Sequence, residues 1–182
     1  MVARNRLQKL TLVLGGAASG KSAFAEALTL ADGRPCLYIA TAQAHDAEMS
    51  DKIARHRARR DGRWTTIEAP LDIGPALAAA PEGSAVLLDC ATLWLSNRMM
   101  AEQDLSTADA DLCAALRRCP APVVVVSNEV GQGIVPEHSM GREFRNAQGR
   151  LNQALAAEAG LAVQVIAGLP LVLKGTLPDV PQ

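Results

Sequence analysis

The chain has 182 residues, of which 49% are hydrophobic, and its formal net charge is −1. This length and composition indicate one globular domain with a sizeable core, and they argue against a disordered tail or a nucleic-acid-binding protein. We also expect no membrane span, because no apolar segment is long enough to cross a bilayer. The four cysteines show neither CxxC nor metal-ligand spacing, a pattern that favours reduced thiols and a cytoplasmic location: Cys36, Cys90, Cys113 and Cys119.

Short apolar runs alternate with helix-like segments along the chain. The predicted strands are 10–15, 36–41, 64–70, 85–90, 122–128, 161–168 and a short edge strand, 170–175; the predicted helices are 20–31, 46–60, 71–80, 106–118 and 140–159. Near-continuous Val, Ile and Leu runs are typical of parallel strands buried on both faces. We therefore predict a single three-layer α/β domain, 9–175, with a mostly parallel, doubly wound sheet. Residues 1–8 and 176–182 are predicted to be a flexible lead-in and a flexible tail.

The first predicted strand leads into the sequence GGAASGKS, residues 15–22, and a predicted helix follows. The stretch fits G-x-x-x-x-G-K-[ST], in which glycines let backbone N–H groups turn toward phosphate oxygens. Lys21 would reach the β and γ phosphates, and the Ser22 hydroxyl would bind Mg²⁺. A glycine-rich turn that binds nothing is the alternative, but the strand, helix, lysine and serine together favour a phosphate loop.

Asp89 ends the predicted strand 85–90, at the edge where a parallel sheet places its ligands. A carboxylate in this position can hold the water shell of Mg²⁺. It could also cap a helix that begins with ATLWLSN, and one carboxylate could serve both purposes.

His56 lies within the basic stretch KIARHRARR, residues 52–60. Histidine can attack phosphorus only as neutral imidazole, and neighbouring cations disfavour its protonated form while neutralising bound phosphates. From these residues alone, a solvated basic helix face with an incidental histidine remains the favoured interpretation.

Six stretches together resemble the bifunctional adenosylcobinamide kinase / adenosylcobinamide-phosphate guanylyltransferase family of cobalamin biosynthesis: LVLGGAASGKSAFAE, LYIATAQAHDAEM, RHRARRDGRW, VLLDCATLWLSN, NEVGQGIVPE and FRNAQGRLNQ. The resemblance covers nearly the whole chain and implies a P-loop NTPase-like fold. It also implies two reactions. ATP or GTP phosphorylates adenosylcobinamide, and GMP then passes from GTP through a histidine to adenosylcobinamide phosphate, giving adenosylcobinamide-GDP.

The resemblance assigns site residues by position. It makes His56 and Lys21 catalytic, and Ser22 and Asp89 the residues at Mg²⁺. The implied nucleotide contacts are Gly15, Gly16, Ala17, Ala18, Ser19, Gly20, Lys21, Ser22, Thr41, Ala42, Gln43, Arg57, Ala58, Arg59, Arg60, Glu68 and Asp89. From the residues alone, the favoured interpretation of Glu68 is an ordinary surface carboxylate. The loop 128–137 would suit a lid over the corrinoid, with a plain connector as the alternative.

Three positions depart from the family pattern. Arg55 stands where some members carry a second histidine, and Asp89 where some carry glutamate. Asn146 replaces a commoner aspartate, so the role of that acid is in doubt. The resemblance also implies a homotrimer and small-molecule partners, namely adenosylcobinamide, GTP and ATP.

Two other functions compete with this interpretation. One is a monofunctional small-metabolite kinase without a nucleotidyl step. The other is a GTPase-type switch, which the sequence disfavours because Asn128 begins no N-K-x-D motif and Asp89, which leads into CAT, begins no D-x-x-G motif.

Overall fold

Seven strands and five helices are found in residues 6–43 and 61–178, the residues that the computed structural model describes. The strands are β1 (Leu10–Gly15), β2 (Cys36–Ala40), β3 (Trp64–Glu68), β4 (Ala85–Asp89), β5 (Val123–Asn128), β6 (Leu161–Ile166) and β7 (Leu169–Lys174). The helices are α1 (Lys21–Ala31), α2 (Gly74–Ala78), α3 (Ala91–Met100), α4 (Ala108–Arg118) and α5 (Ser139–Glu158).

The strands form one sheet in the order β3-β2-β4-β5-β1-β6-β7. The first six strands are parallel to their neighbours, and β7 pairs antiparallel with β6. The predicted mostly parallel sheet with a C-terminal edge strand is thus confirmed. Its carboxyl ends gather the chain segments that follow β1, β2, β3, β4 and β5.

Helices cover both faces of the sheet, which gives the predicted three layers. On one face, Val124 and Val126 of β5 pack with Ala25 and Leu28 of α1. On the opposite face, the neighbouring valines of β5 pack with residues of α2, α3, α4 and α5: Leu77, Trp94, Leu95, Leu112, Leu151 and Leu155. Because successive side chains of a strand alternate between faces, β5 can supply both clusters at once.

Several predicted boundaries differ from the structure by one or two residues. Strands β2 and β4 stop before Thr41 and Cys90, and these two residues hydrogen bond to each other through the Thr41 hydroxyl. Strand β6 stops at Ile166, because Ala167 and Gly168 take positive φ angles of 51° and 79° and turn the chain into β7. Helix α3 was absent from the set of predicted helices, and the predicted helix 46–60 lies outside the described residues.

No helix among the described residues combines the length and the apolar character that crossing a membrane requires.

Candidate active site

The phosphate loop, residues 15–22, connects the last residue of β1 to the first turn of α1. Two of its glycines are required by close approach. A Cβ on Gly15 would lie 2.9 Å from the backbone oxygen of Val165 in β6, and one on Gly20 would lie 3.2 Å from Gly168 Cα. Gly20 also has a φ of 92°, a backbone angle that residues with a side chain rarely adopt. The predicted strand–loop–helix context is therefore present.

The helix that follows the loop presents its positive end to this site. The first hydrogen bond of α1 runs from Phe24 N–H to Gly20 O at 3.0 Å. Backbone N–H groups at a helix start have no partner within the helix and favour anions. Lys21 Nζ donates to Gly16 O at 3.0 Å, so the ammonium lies across the loop. Ser22 follows it and is half-buried.

Neighbouring strands fix the loop from both sides. From the turn between β6 and β7, Gly168 N–H donates to Ser19 O at 2.8 Å. From the end of β5, Glu129 N–H donates to Gly15 O at 3.1 Å. The loop backbone is therefore held by contacts that do not depend on a nucleotide.

Asp89 is the last residue of β4 and lies on the face of the sheet that α1 covers. Its Oδ2 accepts a hydrogen bond of 2.9 Å from the hydroxyl of Tyr38, a buried residue of β2. The alternative role of Asp89 as a helix cap is wrong. The N-cap of α3 is Cys90, whose Sγ accepts from Leu93 N–H at 3.4 Å.

The ends of β2, β3 and β4 are aligned and tied together. Ala40 pairs in register with Glu68 on one side and with Asp89 on the other. Thr41 is fully buried, and its hydroxyl bonds to both Cys90 N–H and Cys90 O at 2.8 Å. Asn97 of α3 donates to Thr41 O at 2.8 Å and to the carbonyl of Pro70 at 2.9 Å. One amide thus joins the segments after β2 and β3.

The remaining predicted site residues divide into two groups. Ala42 is half-buried, whereas Gln43 and Glu68 are exposed at the same edge of the sheet. The predicted residues of the basic segment lie outside the described residues: His56, Arg57, Ala58, Arg59 and Arg60. The structure therefore brings together the phosphate loop, Asp89, Thr41 to Gln43 and Glu68 along the carboxyl ends of the strands.

Residues 11–173 match the model of the family described as cobinamide kinase / cobinamide phosphate guanyltransferase. The chain belongs to this family. It is 43% identical to the bifunctional adenosylcobalamin biosynthesis protein CobP of Pseudomonas aeruginosa over 167 residues, covering 90% of this chain and 96% of the relative. It is 40% identical to the bifunctional adenosylcobalamin biosynthesis protein CobU of Escherichia coli over 181 residues, covering 91% and 99%.

More distant solved structures share only the fold with this cobinamide kinase family member. An ATPase from a bacterial type III secretion system superposes with a TM-score of 0.58 at 9% sequence identity, over 91% of this chain and 57% of that one. This likeness supports the predicted P-loop NTPase-like architecture and nothing finer.

The oxygen donors at the site suit a hard cation. Ser22 is the second residue of α1 and supplies a hydroxyl, and the Asp89 carboxylate accepts a hydrogen bond from Tyr38 through one of its oxygens. Among the described residues, no group of three or more His, Cys, Asp or Glu side chains could hold a metal by itself. Mg²⁺ bound to nucleotide needs only one or two protein oxygens, because phosphates and waters supply the rest. The donor set therefore fits Mg²⁺.

Sequence reasoning missed three residues that support the site of this family member: Tyr38, Asn97 and Gly168. Tyr38 was visible as the single tyrosine in an otherwise apolar strand. Asn97 gives no local signal, because its two partners lie in the segments that follow β2 and β3. Gly168 belongs to a two-residue turn whose contact with Ser19 depends on tertiary structure alone.

The cysteine beside the site lacks the lowered pKa that is typical of a nucleophilic thiol. Burial, together with the Asp89 carboxylate, raises the pKa of Cys90 to about 12. Burial likewise raises the pKa of Cys36 and of Cys113 to about 11. These groups stay protonated at neutral pH, and reactive cysteines are those with a lowered pKa.

Proposed function

We propose that this enzyme phosphorylates the aminopropanol hydroxyl of adenosylcobinamide with ATP or GTP, and then transfers GMP from GTP to the resulting phosphate, giving adenosylcobinamide-GDP. The observation that carries the proposal is the phosphate loop between β1 and α1, with Lys21 across it and Asp89 on the same face of the sheet. Membership of a family described by both activities supports the pairing of the two reactions.

The nucleotide is proposed to bind along the carboxyl ends of the strands. Residues 15–22 would surround its phosphates, and Ala42, Gln43 and Glu68 would contact it from the ends of β2 and β3. The expected contact of Thr41 with the nucleotide stays a prediction. Its hydroxyl already donates to Cys90 O, so any contact would come from another atom of Thr41. Arg57, Ala58, Arg59 and Arg60 are retained as contacts on the family resemblance. Mg²⁺, held at Ser22 and near Asp89, would neutralise phosphate charge when bound.

His56 is proposed to carry GMP between the two substrates. Its neutral Nε2 attacks the α phosphorus of GTP, a P–N bond forms, and the bond to the α–β bridging oxygen breaks to release pyrophosphate. An oxygen of adenosylcobinamide phosphate then attacks the same phosphorus, and the P–N bond breaks to return the imidazole. Splitting the transfer in this way brings one anionic partner to the site at a time.

Incubation with α-labelled GTP tests the histidine intermediate. We expect acid-labile label on His56, and we expect His56→Ala to lose label and guanylyl transfer while keeping phosphorylation. His138→Ala is the matched control, because His138 is an exposed histidine before α5 with no assigned role. Guanylyl transfer at the wild-type rate in His56→Ala would refute the assignment. Wild-type enzyme that phosphorylates but never carries label would indicate a monofunctional kinase.

A homotrimer is proposed from the family resemblance, and the edge strand β7 supports association. All six of its residues are exposed, with Leu169 71%, Leu171 52% and Leu173 53% exposed. An unprotected apolar edge strand invites pairing with another chain. Light scattering should give three times the chain mass, and Leu171→Lys should lower it. A monomeric wild-type protein at micromolar concentration would contradict this.

Three further expectations remain proposals. The loop 128–137 is proposed as a lid over the corrinoid, supported by the exposed Ile134 and Val135 and by Arg142, which donates to Pro136 O and Glu137 O at its far end. A cytoplasmic location is supported by four free, buried cysteines. The domain limits 9–175 stay a prediction, and Leu7 and Leu177 pack against the core beyond them.

A further inference from the structure

The carboxyl end of β5 lies directly beside the phosphate loop. Asn128, the last residue of β5, pairs in register with Gly15, the first residue of the loop. The next residue, Glu129, donates its N–H to Gly15 O. Neighbouring strands of a sheet are about 4.8 Å apart, so the backbone of Asn128 lies one strand spacing from the loop.

The side chain of Asn128 falls on the face of the sheet that α1 covers. Val124 and Val126 pack with α1 residues, and strand side chains alternate, so Asn128 shares their face. Ser127 shows the opposite orientation, because its hydroxyl donates to Asn152 Oδ1 of α5 at 2.7 Å. Asn128 therefore lies on the same face as Lys21 at the start of α1.

A buried polar network fixes the backbone of Asn128. Its N–H donates to Thr92 Oγ1 at 2.8 Å, and its carbonyl accepts from Asn152 Nδ2 at 3.1 Å. Gln148 is fully buried and donates to Ser127 Oγ and to Asn152 Oδ1 at 2.9 Å each. Polar groups are costly to bury, and mutual hydrogen bonds of this kind hold one arrangement of the chain.

The carboxamide of Asn128 has no hydrogen bond to any other residue within 6–43 and 61–178, although both its backbone groups are held. It is half-buried and carries two N–H donors. Four buried side chains thus fix the backbone that carries this amide beside the phosphate loop. The amide itself is left to donate to a ligand.

We infer that Asn128 is a catalytic residue that contacts the terminal phosphate of the bound nucleotide. In the phosphorylation step, the substrate hydroxyl oxygen attacks the γ phosphorus, the bond to the β–γ bridging oxygen breaks, the nucleoside diphosphate leaves and the hydroxyl proton passes to water. Asn128 Nδ2 donates to a non-bridging oxygen of the γ phosphoryl group, where charge shifts during transfer. This rests on the proposed function, since it requires nucleotide in the phosphate loop.

Asn128→Ala tests the contact in the full-length enzyme, with Gln153→Ala, an exposed carboxamide on α5, as the matched control. Loss of one such donor should lower kcat for phosphorylation about 100-fold. Affinity for a non-hydrolysable GTP analogue should fall by up to about tenfold, whereas affinity for GDP should not change, because GDP lacks the contacted phosphate. Calorimetric titration measures both affinities.

The outcomes separate a failure of the inference from a failure of the proposed function. Equal loss of affinity for GDP and for the triphosphate analogue would overturn the inference, because a purely structural role predicts that result. A kcat within about threefold of wild type would also overturn it, because it would show that Asn128 has no role in phosphorylation. If wild-type protein itself bound neither nucleotide, the proposed function would fail instead. Asn128→Asp is nearly isosteric and decides the question if the alanine variant does not fold. Its added charge should weaken binding of the triphosphate analogue more than binding of GDP and should slow phosphorylation, and unchanged phosphorylation would refute the contact.

Discussion

Replacement of Asn97 should loosen the edge of the sheet that carries the expected nucleotide contacts Ala42 and Gln43. Asn97 Nδ2 donates to Thr41 O and to Pro70 O, and it joins the segments that follow β2 and β3. Asn97→Ala removes both donors without adding volume. The two carbonyl oxygens then have different fates, because Thr41 is fully buried while Pro70 is half-buried and can accept from water.

The expected loss follows from these burials. A neutral hydrogen bond that water can replace contributes about 1 kcal/mol, and leaving a buried acceptor without a partner costs about 1–3 kcal/mol. Taking about 1 kcal/mol for Pro70 and about 2 kcal/mol for Thr41, the free energy of unfolding should fall by about 3 kcal/mol. For a domain of this size that corresponds to a Tm lower by about 6–12 °C. Asn97→Asp should lose at least as much, because a carboxylate would face two carbonyl oxygens.

Urea unfolding followed by circular dichroism measures this change, with the m-value as a check that the unfolded state is unaltered. Ser96→Ala is the control, since Ser96 is the half-buried neighbour on α3 and should stay within about 0.5 kcal/mol of wild type. The reasoning also predicts weaker nucleotide binding in Asn97→Ala, through displaced Ala42 and Gln43. An alanine variant as stable as Ser96→Ala would show that the two carbonyls do not depend on this amide.

Three other predictions follow from the site. Tyr38→Phe removes the donor that directs Asp89, so the Mg²⁺ concentration for half-maximal phosphorylation should rise about tenfold, and an unchanged value would separate Asp89 from the cation. Gly20→Ala would place a side chain at a φ of 92° and close to Gly168, and it should weaken GTP binding at least tenfold. Gly33→Ala is the control, because its φ of 80° causes the same backbone strain but its Cβ would meet no neighbouring atom. It should bind GTP normally in the same titration. Because the pKa of Cys90 is raised from 9.0 to about 12 in the fold, its contribution to stability is complete below pH 9 and declines as pH rises toward 12. Between pH 8 and pH 10 the free energy of unfolding in urea should fall by about 1 kcal/mol less in Cys90→Ala than in the wild type, where the raised pKa values of Cys36 and Cys113 add to the loss. An equal fall in the two proteins would contradict the shift.

The fold followed from sequence where apolar runs were continuous. Strands β1, β4 and β5 are buried along almost their whole length, and such runs leave few alternatives to a covered parallel strand. Helix α3 was harder to predict, because its residues Thr92 and Asn97 are turned inward to bond other segments instead of marking a solvent face. Helix α2 is shorter than predicted, since Pro75 lies in its first turn and Pro81 disfavours helix in the residue before it.

The site was predictable where chemistry is local to the sequence. The phosphate loop combines a strand, glycines, a lysine and a serine within eight residues, and each of these has a fixed role there. The supports of the loop were not predictable in the same way. Gly168 and Glu129 reach it through backbone N–H groups, which every residue except proline possesses, so no side-chain pattern identifies them. The sequence could not decide whether Asp89 caps a helix, because its hydrogen-bond partner, Tyr38, lies 51 residues away along the chain.

A loop fixed in this way could serve two different transfers with one nucleotide site. Gly168 and Glu129 hold the loop backbone from opposite sides, so little binding free energy would be spent on ordering it. The proposed first step breaks a bond at the γ phosphorus, and the proposed second step breaks one at the α phosphorus. Because a fixed loop cannot move the triphosphate between steps, the bond that breaks must be selected by the nucleophile that arrives. The substrate hydroxyl would approach the γ phosphoryl group contacted by Asn128, whereas His56 would approach the α phosphoryl group. Loss of Asn128 should therefore slow phosphorylation far more than formation of the histidine adduct, and the ratio of these two effects measures how completely the nucleophile decides the reaction.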